Sequence, residues 1–325
     1  MQPPDLQERP GSVSRAPELR GTQVLGCDGK TQNPGMKVVL SQSNFIGVLR
    51  RMSVTYTATL TVREETVLFV SSLLHAERQR RGTRAGTRAL SCFKQAILVI
   101  RWFLDGTRVA QLAGDNTIGR STAYDYLHEG VGVLATQAPN LEAALLAAKM
   151  AGYDHVNIDG TLIETDRCRT PGPTPGVDLW WSGKHDNHGG NIQVITAPDG
   201  WPLWTSPVRP GREHDTTALR EHTQMLPLLA MWTEDQLRVL GDLGYEGEAD
   251  TITVAFKKPK GGELTDVQKT YNKVHNGIRA VGERGNSLLK TTFKALRHVS
   301  LCPWKISKIA AAALVLLHFE HGRTT

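Results

Sequence analysis

The chain has 325 residues, 40% of them hydrophobic, enough apolar material for a real core and the length of about two ordinary domains. It carries 38 Lys+Arg against 32 Asp+Glu, and its net charge of +6 and pI near 9.2 point to an anionic partner. The longest apolar run, Ile309 to Leu317, falls short of the roughly 20 residues that a membrane span needs, and no charged start followed by an apolar stretch marks a signal peptide, so the expectation is a soluble intracellular protein without a membrane partner.

The charge is unevenly spread. From Phe256 to the end there are thirteen Lys/Arg and four Asp/Glu, a net of +9, which leaves −3 for the first 255 residues. That basic last fifth is either a solvated helix face or a phosphate-facing surface, where neutralised phosphates release counterions. The four cysteines, Cys27, Cys92, Cys168 and Cys302, form no CxxC and show no zinc-ligand spacing with histidine.

Residues 1–51 are rich in Pro, Gly, Ser, Gln and Arg, with apolar runs only at Met36–Leu40 and Phe45–Leu49, and disorder is expected there. Met52 opens a more regular sequence and is a candidate start of the chain. From Val62 to about Leu134 the pattern is helical, with Val67, Val70, Leu73 and Leu74 on one face. A basic loop over 77–88 precedes a second apolar helix, from about Ala89 to Leu104. Next, Thr107 reads as an N-cap, Val109–Gly114 as a short helix, Asp115–Arg120 as a turn, and Ser121 as the cap of another helix. Two short helices on a tight turn make a helix-turn-helix, with Ile118 and Ala123 anchoring the turn. Its exposed start would present Arg120, Ser121, Thr122 and Tyr124 to a DNA major groove. Many helical hairpins bind nothing, so this signal does not stand alone.

A helix from Asn140 to about Ala151 leads into the second half, where the periodicity changes. HVNIDGTLIET (155–165) reads as a strand, and NIQVITAPDGWPLWTSPV as two strands joined at Pro-Asp-Gly. Thr216–Leu228 reads as helix, Leu237–Asp242 and Ile252–Phe256 as strands, and Leu264 onward as helix with a break near Pro303. The sum is a mixed α/β sheet with helices packed on it.

Two acids sit where apolar strands make them costly unless paired, hydrogen-bonded or metal-bound: Asp159 inside the first of these strands and Asp242 at the end of a later one. Glu283 lies on a helix with Arg279 and Lys290 near one face. Taken singly, each has a plainer reading, as a turn or cap residue or a surface ion pair. Asp215 reads as a helix N-cap or a support to the acids rather than a ligand. Lys184, His185 and His188 are either DNA contacts or, for 188–191, a turn entering a strand. Asp154, Glu164, Asp166 and Asp178 read as solvated acids. The tryptophans at 180, 181, 201 and 204 read as sheet-covering core, with stacking on an unpaired base as the alternative.

The tracts NIDGTLIET, SGKHDNHGGNIQVITAPDG, PGREHDTTAL, LGDLGYEG and IRAVGERGNSLLK together resemble insertion-sequence transposases of the DDE superfamily, the insertion-sequence-five type, related to the Harbinger elements of eukaryotes. The family signature around its last acid runs Tyr, Arg, Glu, Lys at fixed gaps. Arg279, Glu283 and Lys290 fit those gaps, and Asn276 stands where the tyrosine is expected. The resemblance implies an extension over 1–51, a helix-turn-helix DNA-binding domain over 52–138, a connecting helix over 139–153 and an RNase H-like catalytic domain over 154–325. It further implies that Asp159, Asp242 and Glu283 hold two divalent ions, magnesium or manganese, and that Arg279 and Lys290 join the helix-turn-helix residues, and Lys184 as read above, in contacting DNA. The partners implied are double-stranded DNA, as element terminal repeats and as target, and further copies of the chain in a homodimer or higher oligomer on DNA, in the cytoplasm at the nucleoid. The rival readings are a DNA-binding regulator with a dead nuclease domain, a defective element copy, and a two-carboxylate glycosidase. The helix-turn-helix and the basic last fifth argue against the glycosidase.

Overall fold

The computed structural model describes residues 59–324 together with two short strands, β1 (Val38–Val39) and β2 (Thr55–Tyr56). These two pair antiparallel within a first unit, Met1–Thr59. Otherwise the expectation for 1–51 lies outside the described residues. The remaining elements belong to the second unit, Leu60–Thr325.

Its first part is helical. α1 (Glu64–Arg80) has Glu64 and Glu65 in its first turn and Arg78 and Arg80 in its last, which suits the helix dipole, and it buries Val67, Val70 and Leu74. α2 (Cys92–Asp105) starts at Ser91, whose side chain accepts from Lys94 N at 3.2 Å, and stops at Gly106 in the left-handed region. α3 (Val109–Asp115) and α4 (Arg120–Ala135) follow, joined by a turn in which Thr117 takes a φ of 53° and Ile118 N donates to Ala113 O at 3.0 Å. Two expected caps are corrected. α3 begins after Arg108 and α4 after Gly119, neither with a side-chain cap, so Thr107 lies outside α3 and Ser121 inside α4. Ala123, Tyr126, Leu127 and Leu134 give α4 a buried face, and this face lies against α9 (Ile306–His321), α2 and α1. α5 (Leu141–Met150) falls within one residue of the expected 140–151 helix at each end, and the Asn140 side chain caps it by accepting from Ala143 N at 2.8 Å.

The rest is built on β3 (His155–Thr165), which has the predicted bounds. β5 (Asn187–Thr196) runs antiparallel to it, with Asp159 opposite Val194 and Gly160 opposite Gln193. β4 (Trp181–Ser182), β6 (Pro202–Thr205) and β7 (Arg209–Pro210) pair antiparallel with β5, and the 197–201 connection to β6 is the predicted turn. On its other side β3 takes β8 (Arg238–Leu240) in parallel, while β9 (His298–Val299) pairs parallel with its last residues. The result is a mixed sheet with β3 at its centre.

Several expected elements change. The 216–228 helix divides into α6 (Asp215–Glu221) and α7 (Met225–Glu234). Residues 252–256 form no strand, and only Thr253 makes a single parallel bridge, to Leu240. The helical reading from Leu264 onward holds for α8 (Asp266–Thr292), which starts on a Thr265/Gln268 capping box. It then fails earlier than Pro303, because Phe293 leaves helical geometry, buries its ring against Phe103, and lets 298–299 pair with the open end of β3.

α8 comes down on β3 and β5 at two glycines. A Cβ at Gly282 would lie 2.7 Å from Asn157 Cβ, and one at Gly285 would run into Thr196 Cγ2 and stand 3.0 Å from Gly200 O. Interiors this closely packed do not accommodate added methyl groups. Gly282→Val is therefore expected to lose about 1–3 kcal/mol of stability, read from the urea unfolding midpoint. An unchanged midpoint would show that α8 is free to lift from the sheet.

Candidate active site

Side chains alternate between the faces of a strand, and on β3 this places Asn157, Asp159 and Thr161 toward α8. Asn157 meets Gly282. Asn286 Nδ2 donates to Asp159 Oδ2 at 2.9 Å, and Lys290 Nζ donates to Thr161 Oγ1 at 2.7 Å and to Leu162 O at 2.8 Å. Gly160 faces the other way, where a Cβ would collide with Asp215 Oδ1.

Asp242 lies just past β8 and caps a 3-10 turn, Leu243–Glu248, with Oδ1 accepting from Gly244 N at 2.8 Å. Tyr245, in that turn, is fully buried and donates its hydroxyl to Gln193 Oε1. Gln193 Nε2 donates to Asn191 Oδ1 at 3.1 Å, and Asn191 Nδ2 donates to Asp215 Oδ1 at 2.9 Å. A continuous hydrogen-bonded chain thus runs under β5 from the Asp242 turn to Asp215. Burial, with the charges of Asp215, Asp159 and Asp242, pushes the Tyr245 phenol well above its ordinary range, so it remains a donor. From α8, buried His275 Nε2 donates to Gly241 O at 3.0 Å and ties the helix to the residue before Asp242.

Burial is the first cause of the Asp159 shift. Together with repulsion from Asp242 and, less strongly, Asp215, it pushes the carboxyl up to about 6, against the opposing pull of Arg279 and the Asn286 hydrogen bond. Burial also lowers Lys290, opposed by Glu164 and Asp159.

The structure brings some of the predicted residues together and leaves others apart. Asp159 and Asp242 act on each other, and Asp215, which the sequence reading set aside, joins them. Asp215 is the first residue of α6 rather than its cap, a position that falls to His214. Glu283 is 55% exposed and accepts from Arg279 Nη2 at 2.8 Å. Among the described residues no three His, Cys, Asp or Glu side chains converge as a metal-binding group. The donor set around Asp159 nevertheless suits a hard divalent cation: carboxylate oxygens short of counter-charge, and a buried Asn286 Oδ1 that no donor reaches.

Lys184 is exposed and pairs with Asp215 Oδ2 at 3.4 Å. With His185, Arg212 and His214 it lines a cleft of about 200 Å³ beside Gly160. His188 and its neighbours 189–191 lie within β5, and His188 is bonded to Asp178 at 3.0 Å, so neither the DNA-contact nor the turn reading fits it, and Asp178 is not merely solvated. Arg120 and Ser121 are exposed at the start of α4, whereas Thr122 and Tyr124 are half-buried. Trp180, Trp201 and Trp204 are buried, in keeping with their reading as core. The sequence reading missed Asn286, Gln193, Asn191, Tyr245 and His275. Asn286 carried a signal, since it stands three residues after Glu283 and four before Lys290. So did Gln193, an amide set between Ile192 and Val194 in an apolar stretch.

Residues 158–318, just under half of the chain, match the family described as DDE superfamily endonuclease. All three predicted acids fall inside the match, while α1 to α5 lie before it. No curated protein matches the chain. Among solved structures it is similar to a Mos1 transposase paired-end complex with the left transposon end, at 10% identity over 74% of this chain and 87% of that one, with a TM-score of 0.19. A Mos1 mariner paired-end complex with Mn aligns at 10% identity over 77% and 98%, also with a TM-score of 0.19. Scores this low carry no argument about fold or activity.

The elevated Asp159 has a consequence for stability. A folded-state value of about 6, against 3.8 ordinarily, means that the group's contribution is fully present below about pH 4 and is lost as pH rises through 6. Without divalent cations, Asp159→Asn is expected to raise stability at pH 7 by roughly 2–3 kcal/mol, with the gain fading toward pH 4. Urea denaturation across that range measures it, and a gain that does not vary with pH would contradict the assignment.

Proposed function

We propose that this protein is a DDE transposase of the insertion-sequence-five type, which binds the ends of a bacterial element and catalyses metal-dependent DNA strand cleavage and strand transfer. The observation that carries the reading is the half-buried Asp159 on the central strand, under the influence of Asp242 from the parallel neighbour and covered by a basic helix bearing Glu283. The match of residues 158–318 to DDE superfamily endonucleases supports it. So does the mixed sheet, which is compatible with an RNase H-like domain over 154–325 behind a helix-turn-helix domain over 52–138 and a connecting helix over 139–153.

In this reading Asp159, Asp242 and Glu283 are the catalytic carboxylates. Two magnesium or manganese ions held by them would supply charge neutralisation at the phosphodiester and activation of the attacking oxygen. Water attacks phosphorus, loses a proton, and displaces the 3′-oxygen, which gains one. The freed 3′-hydroxyl then attacks a target phosphodiester and displaces its 3′-oxygen in turn. Asn286 orients the Asp159 carboxylate. Lys290 has two of its three N–H donors committed to Thr161 and Leu162 and keeps one for DNA. Arg279 offers a planar guanidinium to a phosphate oxygen. A phosphate that takes Arg279 breaks its ion pair and frees Glu283 to turn toward Asp159. Double-stranded element ends are held by Arg120, Ser121, Thr122 and Tyr124, with Lys184 beside the acids, in a dimer or higher oligomer.

A second reading, a domesticated or defective copy that only binds DNA, draws on one observation: Glu283 is turned to solvent and engaged by Arg279. Labelled duplexes carrying the element's own ends, incubated with magnesium, separate the two. The wild type is expected to cut and join, and Asp159→Ala, Asp242→Ala and Glu283→Ala to bind the ends with cleavage reduced by several orders of magnitude. Mutants that cut like the wild type would remove the triad, and specific binding without any cutting would favour the second reading. Arg120→Ala is expected to weaken end binding and to reduce the slope of log affinity against log salt by about 1. An unchanged slope would take Arg120 off the DNA.

A further inference from the structure

The sheet-facing side of α8 carries two buried polar atoms that no group among the described residues satisfies: Asn286 Oδ1, an acceptor, and Arg279 Nε, a donor. The two residues are seven apart, two helical turns, and so share a face. The orientation of the Asn286 amide is set by its other end. Nδ2 donates to Asp159 Oδ2 at 2.9 Å, and the reversed amide would press an oxygen against the carboxylate. Oδ1 is therefore held as an unused buried acceptor beside Asp159, where the neighbouring charges from Asp242 and Asp215 are negative. A buried acceptor without a donor is costly unless something outside the chain uses it. Amide oxygens are ordinary ligands of hard divalent cations.

We propose that Asn286 is a metal ligand as well as a positioning residue: Nδ2 fixes Asp159 through Oδ2, and Oδ1 gives a neutral oxygen to the divalent cation held with Asp159 and Asp242. The proposal rests on the carboxylate reading given under the proposed function. The unpaired Arg279 Nε complements it, since a cation that arrives with a phosphodiester brings an acceptor for that donor. A neutral ligand adds an oxygen without adding to the repulsion between Asp159 and Asp242, which a further carboxylate would increase.

The test is Mn2+ binding by the full-length protein without DNA, followed by electron paramagnetic resonance of the free ion. It compares the wild type with Asn286→Ala, Asn286→Asp and Asp159→Asn, alongside metal-free melting temperatures. Asn286→Ala is expected to weaken Mn2+ roughly 10- to 100-fold at an unchanged metal-free melting temperature. Asn286→Asp, which keeps an oxygen but loses the donor to Asp159, is expected to bind Mn2+ at least as tightly as the wild type. Wild-type affinity in Asn286→Ala overturns the proposal, as does an Asn286→Asp protein as weak as Asn286→Ala. If Asn286→Ala melts early, Asn286→Asp decides alone: affinity at or above wild type supports the ligand role, and lower affinity overturns it. Equal Mn2+ binding by the wild type and Asp159→Asn would instead remove the carboxylate site itself, and the proposal with it.

Discussion

A helix backbone can sit directly on a strand only where both lack bulk, and α8 does so at Gly282 and Gly285, over Asn157 and Thr196. Most of the polar arrangement around Asp159 follows from that approach. One turn further along, Asn286 reaches Asp159, and the next turn brings Lys290 to Thr161 and Leu162. Two turns back from Gly282, His275 reaches the carbonyl of Gly241, next to Asp242. A single rigid helix therefore fixes two acids that come from different strands.

The electrostatics follow from the same contact. Covering Asp159 removes water from a carboxylate, and setting Asp242 and Asp215 near it adds repulsion. Arg279 offsets part of this but is shared with Glu283, which it holds toward solvent. The chain from Tyr245 through Gln193 and Asn191 to Asp215 is satisfied link by link, so it is rigid and fixes Asp215 from beneath. On the α8 side Asn286 Oδ1 and Arg279 Nε have no partner among the described residues. The α8 face of the central strand thus presents a free acceptor and a free donor beside Asp159.

The helical region is not a separate bead. α4 packs against α9 from the other end of the sequence, and the residues it buries join the same apolar core as β3 and β5. The start of α4 remains exposed at Arg120 and Ser121 while Ala123 and Leu127 are buried.

The sequence by itself determined the elements whose signals are local. β3 has the predicted bounds because HVNIDGTLIET is apolar enough to be central in a sheet. α5 starts just after Asn140 and α8 just after Thr265, because caps are made by neighbouring residues. Asp159, Asp242 and Glu283 were legible as acids in unusual surroundings and through the family pattern. Tertiary structure alone decided what each acid faces. Asp215 reads locally as a cap, yet its carboxylate is drawn over Gly160, a residue distant in sequence, by Asn191. Glu283 reads locally as a surface ion pair and as a ligand only through the family pattern, and in this structure it pairs with Arg279 one turn before it. The short strand at 298–299 exists only because the end of β3 leaves backbone groups to be paired. Periodicity along a chain reports which face a side chain takes, whereas the partner on that face is set by strands and helices that pack there from elsewhere in the sequence.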